Sequence, residues 1–242
     1  MSNYCKKCRL RDGCIRKCKE AEIYEQGYCD GVSDGYKIAV DALTPDEQQP
    51  KLIIKIDGLK KIKMEKKYKL TDETINVGGK KLFRIEALKD FGDVKNGDKG
   101  GFIEDEHNIS HDGNSWVCGN AMVYGDAMVC GNAWVYGNAW VYGDAMVYGD
   151  AMVCGNARVY GNAMVHGNAK IENNSDYIVF KNWWSSGRYF TWTRSNDMWK
   201  VGCFSGTGEE LIKKAYKDSE KSGREYERIV KYVEEIKKEN GK

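Results

Sequence analysis

The sequence predicts a mainly β protein organised around a parallel β-helix, and three observations predict it. Between Asn114 and Ile171 one six-residue phrase recurs with almost no drift, as CGNAMV, YGDAMV, CGNAWV, YGNAWV and their successors. A valine or isoleucine closes every phrase, from Val117, Val123 and Val129 to Ile171. Two residues before each stands a small residue, from Ser115 and Ala121 to Ala169. A fixed hexapeptide period marks a β-helix and takes precedence over local propensity.

The repeat also has a physical reading. In A-M-V-Y the side chains alternate across a strand, so Ala and Val face one way and Met and Tyr the other. Only the Ala/Val side is uniform and small enough to fill a narrow interior, which leaves no room there for an organic cofactor. Gly-Asn and Gly-Asp supply the corners, because these residues tolerate positive φ. Three strand–corner units close a triangular coil of about eighteen residues, each coil stacking about 4.8 Å above the last. The pattern resembles the left-handed β-helix of hexapeptide-repeat proteins, with Val117 and its successors at the inward aliphatic position. The left hand is implied by that resemblance and by no general rule.

Composition sets outer limits. The 242 residues include 27 glycines and 2 prolines and carry a net charge of +2. That suits a turn-rich array and gives no global attraction to acidic partners. No apolar run of about eighteen residues occurs, so no membrane span is expected. The N-terminal MSNYCKKCRLRDGC lacks the apolar core of a secretory signal. The 9 cysteines then point to a reducing cytoplasm, and to thiols or metal ligands before disulfides.

Residues 1–50 read as a Cys-rich helical module. Cys5, Cys8, Cys14 and Cys18 form two short-spaced pairs among Lys6, Lys7, Arg9, Arg11, Arg16 and Lys17. Four thiolates can hold Zn2+ tetrahedrally, and so small a segment has no core without the metal. The neighbouring cations favour the thiolates. An iron–sulfur cluster and unliganded thiols are the alternatives. A helix follows from Lys19 to Leu43, ended by Thr44-Pro45-Asp46.

Residues 51–113 read as a strand-rich cap on the first coil, needed because an open end exposes unpaired backbone. Lys51–Ile56 (KLIIKI) is a short strand, and the lysine-rich run from Gly58 to Lys69 a solvated edge. Lys81–Ala87 alternates, with Leu82, Arg84 and Glu86 opposite Phe83, Ile85 and Ala87. Gly92, Gly97, Gly100 and Gly101 mark tight turns before Phe102-Ile103, and His107 and His111 are read as turn residues.

Residues 114–176 are the array. Sorted by coil, its outward residues form three rows: Trp116, Trp134, Met152 and Lys170; Met122, Trp140 and Arg158; Met128, Met146 and Met164. The residue after Val adds Tyr124, Tyr142 and Tyr160 to the second row, and Cys130, Tyr148 and His166 to the third. Such apolar faces exceed what a soluble monomer usually shows. The third, with Met128, Met146, Met164, Tyr148 and His166, is the expected oligomer interface. A trimer comes first and a dimer second, with fold-back of the C-terminal helices as the competing cover. Asp126, Asp144 and Asn162 stack on one edge and read as solvated turn residues.

Residues 177–242 form a small α+β unit. Tyr177–Phe180, Tyr189–Arg194 and Met198–Phe204 are strands, and Thr207-x-x-Glu210 is a capping box opening a helix that breaks at Gly223. Trp183, Trp184, Arg188, Trp192, Arg194 and Cys203 cluster in sequence, a composition suited to a planar anionic ligand. A Trp-rich core with solvated arginines is the competing reading.

From Tyr68 onward the chain resembles a family of phage and prophage proteins with hexapeptide repeats. The residues that carry this are GDVKNGDKGGFIEDEHNISHDGNSWV leading into the array, and the tail DYIVFKNWWSSGRYFTWTRSNDMWKVGCF. The resemblance implies phage or prophage origin and supplies no reaction or catalytic residues. With no convergent acid–base set, the expected function is a non-catalytic oligomeric binding or scaffold protein of the bacterial cytoplasm, sequestering a host protein or small anionic ligand. One alternative is a hexapeptide-repeat acyltransferase-like enzyme, with His166, His107 or His111 as base. A second is nucleic-acid binding through the Cys-rich module. Protein purified without added metal should carry zinc in a one-to-one ratio, and Cys8→Ser should release it. Metal-free wild type by elemental analysis would remove the zinc reading.

Overall fold

The computed structural model describes residues 65–240. Cys5, Cys8, Cys14 and Cys18, the helix expected from Lys19 to Leu43 and the strand Lys51–Ile56 lie outside the described residues.

The described chain opens with β1 (Tyr68–Val77) and β2 (Lys80–Ala87), an antiparallel hairpin. Its turn is Gly78-Gly79, with φ of 56° and 84°, the positive values that match a tight turn to strand twist. A bulge between Leu70 and Thr74 breaks the alternation of β1, so its pattern is weak in sequence. A register shift after Arg84 lets Leu82, Ile85 and Ala87 all be buried, where strict alternation separates Leu82 from the other two. β3 (Lys99–Ile103) pairs antiparallel with β2 on one side. Gly100 and Gly101 therefore lie within a strand and not in a turn. A Cβ on Gly101 would stand 2.5 Å from Ala121 O and 2.7 Å from the Val117 side chain, so the close approach of the first coil requires glycine.

Ten short strands follow: β4 (Trp116–Val117), β5 (Met122–Tyr124), β6 (Met128–Val129), β7 (Trp134–Val135), β8 (Trp140–Tyr142), β9 (Met146–Val147), β10 (Met152–Val153), β11 (Arg158–Val159), β12 (Met164–Val165) and β13 (Lys170–Ile171). They stack as a β-solenoid with three parallel faces. The first is β4-β7-β10-β13, the second β3-β5-β8-β11 and the third β6-β9-β12, extended by Ile109 bridging Val129. Trp116 lies beside Trp134, Met122 beside Trp140 and Met128 beside Met146, the eighteen-residue register expected from the repeat. Every repeat Ala and Val from Val117 to Ile171 is fully buried, and together they form one continuous core. Each buried Val contributes roughly 1.5–3 kcal/mol. At the corners Gly143, with φ of 74°, would bring a Cβ to 3.0 Å from Gly161 N, so both conformation and stacking demand glycine. Corner amides join the coils: Asn120 donates to Asn138, Asn138 to Asn156, and Asn162 to Asp144.

The C-terminal unit is an antiparallel meander, β14 (Tyr177–Lys181), β15 (Tyr189–Thr193), β16 (Met198–Val201) and β17 (Phe204–Gly206), with α1 (Gly208–Asp218) and α2 (Glu220–Asn240). The expected third strand divides at Gly202, whose φ is 56°. Thr207 and Glu210 cap α1 reciprocally, at 3.3 and 2.8 Å. The helices part at Ser219, which is extended, and not at Gly223. Gly223 instead lies inside α2, where a Cβ would sit 2.3 Å from the Tyr216 ring, so its glycine admits the neighbouring helix.

β15 shows how this unit is placed. Phe190 and Trp192 point to one side and pack with Trp184, Trp199, Leu211 and Tyr226 in a core under the helices. Thr191 and Thr193 point to the other side and are buried polar residues. Their side meets the end of the solenoid, where outward N–H groups have no further coil to accept them. In the array the outward residue before each Val donates its N–H to an alanine carbonyl one coil on, as Trp140 does to Ala157 O at 2.9 Å. In the last coil there is no next alanine, and the residues after Ile171 supply a side-chain oxygen on each face. Lys170 N donates to Ser195 Oγ at 2.7 Å, Arg158 N to Asn174 Oδ1 at 2.8 Å and Met164 N to Thr191 Oγ1 at 2.9 Å. An unpaired buried donor costs about 1–3 kcal/mol. Thr191→Val keeps the shape and removes the acceptor, so it should lower unfolding free energy by about 1–3 kcal/mol in urea titration. Ser195→Ala, whose donor water can reach, should lose less than about 1 kcal/mol.

Candidate functional site

At the opposite end of the solenoid, side-chain donors cover main-chain carbonyls. Lys67 is fully buried, and its Nζ donates to Ser115 O at 2.8 Å and Ser115 Oγ at 3.1 Å, with Gly113 O and Asp112 O at 3.3 and 3.4 Å. Asn108 Nδ2 donates to Ala127 O at 2.8 Å and Gly125 O at 3.0 Å, and Arg84 Nη1 to Gly100 O at 2.7 Å. Lys67 lies in the lysine run expected to be a solvated edge, and that expectation is corrected for this residue. Only the fold, which carries the chain across the open first coil, places an ammonium among these oxygens. His111 stacks on Tyr68 at 4.4 Å, and Tyr68 hydroxyl donates to Glu106 O and Ile109 O at 2.9 Å. These groups are enclosed and act as a plug.

Three histidines were candidates for a catalytic base. His166 is buried, and burial lowers its imidazole to about 4, with the nearby Lys200 charge adding to the shift. A base so weak, under a sheet, is poorly matched to proton abstraction near neutral pH. His111 is also lowered by burial, against the pull of Glu106. His107 Nε2 lies 2.9 Å from Gly125 O at the capped end.

The C-terminal cluster does not converge. Trp184 and Trp192 are in the core, and Trp192 Nε1 donates to Asp197 at 2.9 Å. Trp183 is 71% exposed beyond that core. Arg194 sits over the Trp192 ring at 5.8 Å and donates to Ser175 O at 3.3 Å, beside a cleft of about 540 Å3 that also borders Asn174, Tyr177 and Ile236. Arg188 lies near Gly202, and Cys203 is exposed on the turn after it. Trp183, Trp184, Arg188, Trp192, Arg194 and Cys203 therefore do not form one ligand site.

The expected interface row is partly taken by the chain itself. Ser205 Oγ lies 3.4 Å from the His166 ring, Asn196 Nδ2 donates to His166 O at 3.4 Å, and Lys200 Nζ lies 5.6 Å above the Tyr148 ring. With Met164 N bound to Thr191, the C-terminal sheet occupies the Met164, Tyr148 and His166 end of the third face. It is the sheet that folds back, not the helices. Met128 and Met146, lower in the row, are half-buried. On the first face, Trp116 is covered by Phe91 and Tyr68, at 5.3 and 6.3 Å between rings.

The second face carries the longest ordered outward pattern. Tyr124, Tyr142 and Tyr160 stack at 5.1 and 5.3 Å with interplanar angles of 3° and 11°. In the parallel column the Arg158 guanidinium lies 4.7 Å over Trp140, and Trp140 meets Tyr124 edge-on at 6.4 Å. Arg84 lies 4.2 Å over Phe102 at the start of the same column. These residues are held on rungs whose backbone cannot shift without breaking the coil.

Comparison with known families matches this array. Residues 117–131, 127–143, 139–155, 151–167 and 157–170 each match the YdcK beta solenoid repeat. The matched span is under a quarter of the 242 residues and supports a repeat β-helix for the array. No curated protein matches the chain.

The buried lysine gives a pH signature. Burial pulls the Lys67 ammonium from 10.5 down to about 7, with Asp112 opposing the shift and Lys89 adding to it. Between about 7 and 10.5 the unfolded chain holds the proton and the folded chain does not, so stability rises with pH across that window. Lys67→Met removes that slope. The unfolding free energy of wild type minus variant should therefore grow by up to about 1.4 kcal/mol per pH unit between neutral and alkaline pH. A difference that stays flat would mean that the surrounding oxygens keep Lys67 charged.

Proposed function

We propose that this is a non-catalytic, self-associating binding or scaffold protein of phage or prophage origin, acting in the bacterial cytoplasm. The observation that carries the reading is the second face, whose tyrosine stack and Trp140–Arg158 pair stand in fixed register on a rigid solenoid. Preordered aromatic surface loses little conformational entropy on association, which is what a docking face requires. The interior alanine and valine columns give the face its flatness and hold nothing else. Zinc at Cys5, Cys8, Cys14 and Cys18 and a left-handed winding of the coil complete the proposal, the first from thiol spacing and the second from the resemblance to hexapeptide-repeat proteins. A host protein or small anionic ligand, the expected cargo, would meet the protein at an outward surface.

The acyltransferase-like reading has less support, because the histidine facing outward from the array, His166, is buried and held neutral beneath the C-terminal sheet. Titration calorimetry with acetyl-coenzyme A separates the two. No saturable heat is expected. Stoichiometric binding at micromolar concentration, abolished by a substitution at His107, His111 or His166, would overturn the scaffold reading in favour of the enzyme.

A further inference from the structure

We propose that the second face pairs with the second face of another copy, with the two solenoids parallel and related by a two-fold axis along their length. This rests on the self-associating reading above and names the face, the orientation and the residue contacts.

The argument begins with what each face has left to offer. The first face begins under Phe91 and Tyr68, and the third ends under the chain's own C-terminal sheet. The second is an unbroken parallel stack from β3 to β11. Its side chains form two columns, because residues two apart on a strand share a side. One column runs Met122, Trp140, Arg158 and the other Tyr124, Tyr142, Tyr160, in register by rung. Arg158 and Tyr160 are both exposed, and Arg158 makes no ion pair among the described residues. Its guanidinium has one flat side on Trp140, and its other side is open to a second ring.

A two-fold axis parallel to the solenoid lays one column over the other at every rung. Met122 then meets Tyr124 of the second copy, a thioether on an aromatic ring. Trp140 meets Tyr142, two rings that pair favourably when offset or edge-on. Arg158 meets Tyr160, so the guanidinium is held between two aromatic faces. At the first rung Arg84, above Phe102, comes opposite Glu104, each already paired within its own chain, with Glu73 and Lys80 at 2.7 Å. The contacts are isologous, each made twice, as a closed dimer requires.

The other face-to-face arrangement has its axis along the strands and runs the solenoids antiparallel. It lays each column on itself in reverse, so Arg158 comes opposite Arg84 and Tyr160 opposite Glu104. Arg158 then meets another guanidinium in place of a second ring, and both cation–aromatic pairs are lost. The contacts of Arg158 therefore select the parallel dimer. Six array side chains per copy fall below the roughly 20–30 residues a side of a standard interface, so a dissociation constant near micromolar is expected.

Sedimentation equilibrium of the full chain tests this with four variants, each checked for an unchanged far-ultraviolet spectrum and melting temperature. Wild type should be a dimer at tens of micromolar. Tyr142→Glu and Arg158→Glu should each weaken it at least about tenfold, while Met128→Glu on the third face should leave it unchanged. Arg158→Glu combined with Tyr160→Lys should recover the dimer, because these two positions face each other across the parallel axis. A monomeric wild type would overturn both this pairing and the self-associating reading. An oligomer indifferent to Tyr142→Glu and Arg158→Glu would overturn this face and leave self-association standing. Loss in Arg158→Glu without recovery in the double variant would overturn the parallel register.

Discussion

The structure depends on one property of a stacked parallel coil: each end coil leaves main-chain groups with no neighbouring strand. Outward N–H groups reach forward to the next coil, and the paired register has the following Val N–H reach back, so each end presents both donors and acceptors. A buried main-chain group without a partner is costly, so both ends must be closed by side chains of matching chemistry. The first coil meets Lys67, Arg84 and Asn108, which bring N–H groups. The last meets Thr191, Ser195 and Asn174, which bring oxygens. The flanking segments can be understood as the two halves of that requirement.

The same requirement shapes the C-terminal sheet. Its strands alternate between residues for a helix-covered core, Phe190, Trp192 and Trp199, and polar residues for the solenoid end, Thr191, Thr193 and Lys200. A sheet with two buried faces of unlike chemistry is held in place by both. This explains why the tryptophans and arginines of residues 183–194, adjacent in sequence, part company in space. The tryptophans on the inner side go to the core, and Arg194 turns outward to Ser175. Capping the last coil also brings β16 and β17 over Tyr148 and His166, which removes part of an apolar row from water and leaves the second face as the longest ordered outward surface.

Much of this was legible in the residues. The coil length, the inward Ala and Val columns, the three outward rows and the strands of the C-terminal unit follow from period and alternation, which are local. The turn glycines and the break between the helices were less legible. Gly101 and Gly223 are present because another segment passes close by, and a glycine in sequence does not distinguish that use from a turn. Lys67 gave no signal, since a lysine beside other lysines normally stays in water. Its burial depends on Ser115, forty-eight positions away.

By itself the sequence determined the solenoid: the eighteen-residue register, the dry core and the identity of every outward column, because a strict six-residue period admits one alternation. Only the tertiary structure decided which column stays open, which histidine is buried and which lysine is desolvated. These outcomes depend on contacts between residues distant in the chain, such as Thr191 with Met164 and Lys67 with Ser115, that close the ends of the stack. The repeat specifies that its ends need closing, but the residues that close them lie outside it.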